Sequence, residues 1–176
     1  MEGYLSLGSN LGDRSAYLAH ALDALTAGGV RIIRTSSIYE TRPIEVTDIQ
    51  RNYCNLVLFM ETQLSPRELL MLCHTVEHDL GRERPYVHSP RTIDIDILLL
   101  DGIIVSSHEL MVPHPRLEKR SFVIFPLAEI APKIVLPSGR PIINVKKALS
   151  DDEVVKTWKL NHGEGGRKKT DNPDRG

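Results

Sequence analysis

Two aspartates, Asp94 and Asp96, interrupt the apolar segment TIDIDILLL at positions 92–100. This alternation is typical of a β-strand, in which residues two apart lie on the same face at a separation of about 6.6 Å. The isoleucines beside and between them then point to the opposite, buried face. Two carboxylates this close repel each other unless water solvates both or a cation lies between them. Mg²⁺ prefers such ligands, usually one or two carboxylates together with substrate phosphates.

Basic side chains are concentrated on both sides of this strand. They are Arg82, Arg84 and Arg91 before it, and His114, Arg116, Lys119 and Arg120 after it. The net charge is only −1, so these residues form a local cluster and not a broad cationic field. Arginine forks match the oxygens of a phosphate group. The combination predicts a site for a magnesium-bound polyphosphate, and the alternative is a solvated sheet face with ordinary surface arginines.

The pattern of apolar residues predicts six core elements. Segments 3–10, 30–41, 52–62 and 91–100 are strand-like, and the turn at Asp101-Gly102 is expected to return a further strand. One helix is expected from about Asp13 to Gly28, and a second follows the capping sequence at 65–68 and ends at Gly81. The order strand-helix-strand-strand-helix-strand predicts the α+β class. We expect a ferredoxin-like βαββαβ antiparallel sheet with its helices packed on one face, plus a C-terminal extension.

The composition indicates one ordinary globular domain over residues 1–160 and a disordered polar tail over 161–176, within 176 residues of which 41% are apolar. Cys54 and Cys73 form no C-x-x-C pair, so they are interpreted as buried reduced thiols of a cytoplasmic protein. We expect no signal peptide, no membrane span and a monomeric state. We also expect no nucleic-acid partner, because basic and aromatic residues are too sparse for a nucleic-acid surface.

Five motifs occur together in a fixed order. They are LGSNLGDR at the first turn, Y-x-T-x-P at 39–43, YCNLV at 53–57, PRTIDIDIL at 90–98 and VPHPRLEKRSFVIFPLAEIAP at 112–132. Over about residues 3–135 the chain thereby resembles the 6-hydroxymethyl-7,8-dihydropterin pyrophosphokinase family of folate biosynthesis, also called 2-amino-4-hydroxy-6-hydroxymethyldihydropteridine diphosphokinase. The resemblance implies a ferredoxin-like fold and transfer of the β,γ-diphosphate of ATP to the pterin hydroxymethyl group, leaving AMP.

The resemblance also implies roles for particular residues. Asp94 and Asp96 match ligands of two Mg²⁺ ions that bridge the ATP phosphates. The catalytic set is Arg82, Arg91, Asp94 and Asp96, and the ATP-binding set is Arg84, Arg91, Ile97, His114 and Arg120. The pterin-binding set is Thr41, Pro43, Ile44, Tyr53, Asn55 and Phe122. Glu77 matches an acidic position of the family, with a solvent-facing helix carboxylate as the alternative.

One departure from the family pattern lies just before Pro90. The family usually has an aromatic residue and a glycine there, whereas this chain has His88 and Ser89. Two competing hypotheses remain at this point. One is another magnesium-dependent nucleotide-transfer enzyme, which would not require Asn55 and Phe122 beside the metal. The other is a non-catalytic ferredoxin-like module that binds RNA or a small ligand, which would not require the aspartate pair.

Overall fold

A computed structural model describes residues 1–43, 49–83 and 89–160. In chain order the elements are β1 (Glu2–Ser9), α1 (Arg14–Ala27), β2 (Val30–Thr35), β3 (Ile38–Thr41), β4 (Tyr53–Thr62), α2 (Pro66–Asp79), β5 (Asp94–Leu100), β6 (Val105–Ser106), β7 (Met111–Val112), a 3₁₀ helix (Leu117–Lys119), α3 (Ser121–Ile130), α4 (Ile142–Ala148) and β8 (Val154–Trp158). The predictions for Ile44, Arg84 and the tail 161–176 lie outside the described residues.

Six strands form one antiparallel sheet with β1 and β4 near its centre. The order is β5-β1-β4-β3-β8, and β2 also pairs with β4. The segment predicted as one strand over 30–41 is two strands, separated at Ser36 and Ser37. Ser36 causes the break, because its main chain donates to Val57 O (2.9 Å) while its hydroxyl accepts from Val57 N (3.0 Å). A short polar side chain here replaces one ladder contact.

Helices α1 and α2 cover one face of the sheet. The four buried residues of α1 are those that its sequence pattern indicates, namely Leu18, Ala21, Leu22 and Leu25. Helix α2 begins with the predicted capping box, in which Ser65 and Glu68 bond each other's main chains. Both helices pack against alternate residues of β1 and β4, which are Leu5, Leu7, Leu56, Leu58 and Met60. This apolar layer determines which side chains of each strand point toward α1 and α2 and which point to the opposite face.

Helices α3 and α4 lie on the opposite face of the sheet. Val57 alternates with Leu56 and Leu58 along β4, and it is buried against α3 residues such as Val123 and Leu127. The two helices of the predicted βαββαβ core, α1 and α2, therefore share one face, and α3 and α4, which follow that core in the chain, cover the other face. This second layer forms because the sequence of α3 is apolar almost throughout and needs a core of its own.

A β-bulge in β5 explains the change from alternating residues to the run LLL. The register moves from Leu5↔Ile97 to Tyr4↔Leu99, which leaves Leu98 as the additional residue. Leu98 and Leu99 consequently join the core under α3, whereas Leu100 returns to the core under α1 and α2. The predicted returning strand forms only a bridge at Leu100↔Ile103, and β6 pairs with β7.

The C-terminal extension contains α4 and β8, neither of which the sequence pattern specified. Strand β8 pairs antiparallel with β3, from Ile38↔Trp158 to Thr41↔Val154, and it covers that edge of the sheet. Within the ranges that the structure describes, every helix is too short or too polar to cross a lipid bilayer.

Candidate active site

Asp94 and Asp96 lie on one face of β5, at the edge of the sheet. Their side chains are 27% and 32% exposed, whereas Ile95 and Ile97 between and after them are buried in the core under α1 and α2. Across the ladder they face Gly8 and Ser6 of β1. The pleat therefore presents both carboxylates on the face of α3, in the part of the face next to the start of that helix.

Two arginines hold the Asp94 carboxylate. Arg91 Nη1 lies 2.7 Å from Asp94 Oδ2, and Arg82 Nη2 lies 2.5 Å from Asp94 Oδ1. Arg82 is only 7% exposed, so its charge needs compensation by carboxylates inside the protein. The two arginines come from the two ends of the segment between α2 and β5, and Asp94 brings those ends together.

Asp96 has a different set of neighbours. Arg120 Nη1 donates to Asp96 Oδ2 at 3.0 Å, and His114 Nε2 lies 3.9 Å from the same oxygen. Burial, and then the charge of Asp94, raise the pKa of Asp96, although His114 and Arg120 act in the opposite direction. The pKa of His114 is lowered, mainly by burial, against the attraction of Asp96. The structure therefore contains a carboxylate whose negative charge is incompletely compensated.

Glu77 of α2 is a supporting residue. It is 4% exposed, which excludes the solvent-facing alternative. Its Oε1 accepts from the main-chain N–H of Ile95 at 2.7 Å and also forms an ion pair with Arg82. Glu77 thus fixes both the strand between the two aspartates and the arginine that holds Asp94. The acidic position was visible in the sequence, but the α2–β5 contact that buries it was not.

Asn10 is a second residue whose role the sequence reasoning missed. Its Oδ1 accepts from Arg91 N at 2.8 Å, and its Nδ2 donates to Gln50 Oε1 at 2.9 Å. Its own main chain donates to Arg91 O at 3.1 Å. Asn10 therefore joins the end of β1 to the segment before β4 and to Arg91. In the sequence, its place in a turn just before α1 indicates only the start of a helix.

The predicted pterin-binding residues that the structure describes lie at two neighbouring places. Asn55 and Thr41 are both buried, and Asn55 Nδ2 donates to Thr41 Oγ1 at 2.8 Å. Tyr53 precedes Asn55 on β4 and pairs with Thr41 across the β3–β4 ladder, and its ring centre lies 5.9 Å from the Arg91 guanidinium. Phe122 lies at the start of α3 with the Arg120 guanidinium 5.5 Å from its ring centre. Pro43 is half-buried beside Thr41.

Aromatic rings from the pterin set thus contact arginines from the aspartate cluster. Tyr53 is linked to Asp94 through Arg91, and Phe122 is linked to Asp96 through Arg120. Ile97 is the exception among the described predictions. Its side chain is buried on the face of α1 and α2, so its predicted ATP contact is restricted to its main chain.

The donor set of this cluster suits Mg²⁺. In the described part of the chain no group of three or more His, Cys, Asp or Glu side chains could hold a metal ion. Two adjacent carboxylates are too few for an all-protein cage, but they match a magnesium ion that takes its other ligands from water and phosphates. The raised pKa of Asp96 beside Asp94 also indicates a place where a cation would relieve repulsion.

Solved structures define the class of fold. A crystal structure of an HPPK-DHPS protein in complex with substrates matches 84% of this chain with a TM-score of 0.66 at 14% identity. The wild-type Plasmodium falciparum HPPK-DHPS structure matches the same share with a TM-score of 0.60 at 15% identity. The chain spans 43% of the length of each of these proteins. The mixed α/β architecture with an antiparallel sheet is therefore that of the HPPK part of such proteins.

Sequence relatives define the family. The family model of 7,8-dihydro-6-hydroxymethylpterin-pyrophosphokinase matches residues 4–132. A 2-amino-4-hydroxy-6-hydroxymethyldihydropteridine pyrophosphokinase of Bacillus subtilis is 40% identical over 91% of this chain and 92% of its own length. The protein of that name from Methylorubrum extorquens is 44% identical over 76% of this chain and 84% of its own. The chain belongs to the 7,8-dihydro-6-hydroxymethylpterin-pyrophosphokinase family.

Proposed function

We propose that the protein transfers the β,γ-diphosphate of ATP to the hydroxymethyl oxygen of 6-hydroxymethyl-7,8-dihydropterin, in folate biosynthesis. The oxygen forms a bond to the β-phosphorus, the bond from that phosphorus to the α,β-bridging oxygen breaks, and AMP leaves. The hydroxyl proton passes to solvent. Family membership and the names of close relatives support this activity. Neither a nucleotidyltransferase nor a non-catalytic binding module is favoured by any feature of the site.

Asp94 and Asp96 are the residues that would hold Mg²⁺, proposed as two ions, together with ATP. Bound Mg²⁺ supplies neutralisation of phosphate charge and a template for the transferred group. Arg82 and Arg91 contact both oxygens of Asp94, and Arg120 contacts Oδ2 of Asp96, so bound Mg²⁺ would compete with these arginines for the carboxylates. Phosphate oxygens offer these arginines equivalent partners. We therefore propose that nucleotide binding exchanges carboxylate contacts of the arginines for phosphate contacts.

The basic residues divide between the transferred group and the nucleotide. Arg82 and Arg91 adjoin Asp94, which supports their assignment to the charge that develops during transfer. Arg120 and His114 adjoin Asp96 and are proposed to bind ATP phosphates, together with Arg84 and the main chain of Ile97. No strong general base is required, because positioning and electrostatic stabilisation dominate phosphoryl-type transfer.

The pterin is proposed to bind between the Thr41–Asn55 pair and Phe122. The amide of Asn55 has both a donor and an acceptor, which suits the donor–acceptor edge of a pterin ring. Phe122 provides a face for stacking, and Tyr53, Pro43 and Ile44 complete the pocket. The contacts of Arg91 with Tyr53 and of Arg120 with Phe122 support a pocket next to the aspartates. That adjacency is what a transfer between two bound substrates requires.

Broader properties of the chain are also proposed. The strand order β5-β1-β4-β3 with α1 and α2 on one face supports a ferredoxin-like core. We propose residues 1–160 as a single domain and the monomer as the working unit. The free buried thiols of Cys54 and Cys73 support a cytoplasmic location.

The observation that carries the proposal is the pair of neighbouring carboxylates on β5 with arginines on both. Calorimetry tests it directly. ATP should bind in excess Mg²⁺, and its affinity should fall by at least about tenfold in excess EDTA, because phosphate and carboxylate charges then repel. The matched variant Asp96→Ala should bind ATP weakly with or without Mg²⁺. Undiminished wild-type affinity in EDTA would contradict a metal-centred site.

A further inference from the structure

The segment immediately before β8 contacts both sides of the proposed pterin pocket. The main-chain oxygen of Glu153 accepts from the N–H of Arg42 at 2.9 Å. The carboxylate of the same residue accepts a hydrogen bond from the hydroxyl of Ser121. Arg42 lies in the segment that follows β3, and Ser121 is the first residue of α3. One residue thus bridges two segments that are 79 positions apart in the chain.

On the first side, the contact reaches the Thr41–Asn55 pair. Arg42 directly follows Thr41, and Val154 pairs with Thr41 at the end of the β3–β8 ladder. The register of that ladder shifts between Glu40 and Thr41, so the last pair is set separately from the rest. Thr41 in turn accepts from Asn55 at 2.8 Å. Through these contacts, Glu153 is linked to the main chain at Thr41 and Arg42, next to the Asn55 side chain.

On the second side, the contact reaches the aromatic residue. Ser121 is 4% exposed and immediately precedes Phe122. The start of the ten-residue helix α3 has no side-chain cap of its own. A carboxylate at a helix N-terminus is favourable because it faces unpaired main-chain N–H groups and the positive end of the helix dipole. The hydrogen bond from Ser121 brings the Glu153 carboxylate to the first residue of α3, next to Phe122 in the chain.

We propose that Glu153 is a positioning residue that sets the separation between the Thr41–Asn55 side of the pterin pocket and Phe122. This inference depends on the function proposed above. Glu153 lies beyond residues 4–132, the part of the chain that matches the family model. The pairing of β8 with β3 therefore does more than cover the edge of the sheet. It also positions Glu153, the residue just before β8, beside the proposed pterin pocket.

The test compares Glu153→Ala, Glu153→Gln and Ser121→Ala in pterin binding and ATP binding. The probe is 6-hydroxymethyl-7,8-dihydropterin, titrated in the presence of Mg²⁺ and a non-hydrolysable ATP analogue. Glu153→Ala and Ser121→Ala should each weaken pterin binding about tenfold, since a lost charged hydrogen bond costs about that factor. ATP affinity should stay within about twofold. Glu153→Gln keeps an oxygen acceptor and should restore pterin binding to within about threefold.

A double-mutant cycle shows whether the two residues act together. The combined variant Ser121→Ala/Glu153→Ala should lose no more pterin affinity than either single variant, because both remove the same bond. Additive losses would overturn the inference. Equal losses of ATP and pterin affinity, or failure of Glu153→Gln to restore binding, would also overturn it. If Glu153→Ala does not fold, Ser121→Ala and Glu153→Gln still decide the question.

Glu129 provides the matched control for a merely structural role of β8. Its carboxylate accepts from Lys159 after β8 and from Ser37 and Tyr39 around β3, at the other end of the same strand pair. Glu129→Ala should lower the melting temperature and leave the relative affinities for pterin and ATP unchanged. If the wild-type protein bound no pterin, the proposed function would be contradicted. If Glu153→Ala bound pterin as tightly as the wild type, only the positioning role would be contradicted.

Discussion

At the residue scale, the central feature is a pair of carboxylates that the protein does not separate. Asp94 is neutralised by Arg82 and Arg91, whereas Asp96 relies on Arg120 and a more distant His114. Burial and the neighbouring Asp94 raise the pKa of Asp96, so its charged form is disfavoured in the protein alone. A carboxylate whose charged form is disfavoured contributes little to the stability of the fold, and such perturbed groups are typical of ligand-binding sites.

Replacing Asp96 tests that view. We expect Asp96→Ala to lower turnover by at least about 10³-fold, because a lost metal ligand removes several kcal/mol of charge stabilisation from the transition state. Its melting temperature should stay close to that of the wild type, since the substitution relieves carboxylate repulsion. Steady-state kinetics and calorimetric unfolding measure the two effects. If Asp96→Ala did not fold, the aspartate pair would have a structural role, and its assignment as a ligand-binding pair would be contradicted.

Arg91 should behave differently from the pterin-binding residues. It bonds Asp94 at 2.7 Å and stacks near Tyr53, so it lies between the proposed metal and pterin sites. We expect Arg91→Ala to reduce kcat about 100-fold and to change pterin affinity less than about threefold, because its charge acts mainly on the transferred group. Arg67→Ala, at an exposed position in the first turn of α2, is the control. Near-normal turnover of Arg91→Ala would remove its catalytic role.

At the element scale, the site is held by contacts between elements and not by any one motif. Glu77 on α2 bonds the main chain of β5 between the aspartates, and Asn10 after β1 bonds the main chain at Arg91. Glu77 thereby attaches β5 and Arg82 to α2, and Asn10 attaches Arg91 to the end of β1. They explain how a long connection can deliver two arginines to the same carboxylate.

The β3–β8 edge gives a pH-dependent prediction at this scale. Burial acts to raise the pKa of Glu129, but bonds from Lys159, Ser37 and Tyr39 outweigh it and lower the pKa below the ordinary value of 4.5. A lowered folded-state pKa means that the stabilising contribution is complete above about pH 5 and is lost as the pH falls through the folded value. Glu129→Gln should therefore be less stable than the wild type at pH 7.

The same variant should approach wild-type stability as the pH falls below the lowered pKa of Glu129, because the wild-type carboxylate then becomes neutral as well. Urea unfolding at several pH values measures this convergence. Glu109→Gln, an exposed position between β6 and β7, is the control and should follow the wild type throughout. A stability difference between Glu129→Gln and the wild type that does not shrink as the solution is acidified would show that the bonds of Glu129 do not depend on charge.

At the scale of the whole molecule, apolar periodicity was sufficient for β1, β4, β5, α1 and α2. It did not separate β2 from β3, and it did not indicate β8. The buried stripe of α1 and the capping box of α2 depend on local sequence, and both have the predicted residues. The bulge at Leu98 and the burial of Glu77 depend on contacts between distant segments, which periodicity does not encode. The position of α3 depends on a second core, which becomes evident only once both faces of β4 are assigned.

The candidate site also contains residues that local sequence predicts and residues that depend on contacts between distant segments. The aspartate pair and its arginines could be predicted because carboxylate spacing on a strand and the clustering of charge are both local. Asn10 and Glu153 could not be predicted, because each forms hydrogen bonds with segments that are distant in the sequence. Ile97 was assigned to ATP binding from its place in a motif, and the pleat directs its side chain away from that site.

The most direct measurement is the identity of the nucleotide product. Protein, Mg²⁺, ATP and 6-hydroxymethyl-7,8-dihydropterin are mixed, and nucleotides and pterins are separated by chromatography. The proposed function predicts AMP in equal amount to a pterin diphosphate, and neither product with EDTA present. Formation of ADP and a pterin monophosphate, or the absence of any pterin-dependent nucleotide product, would contradict it.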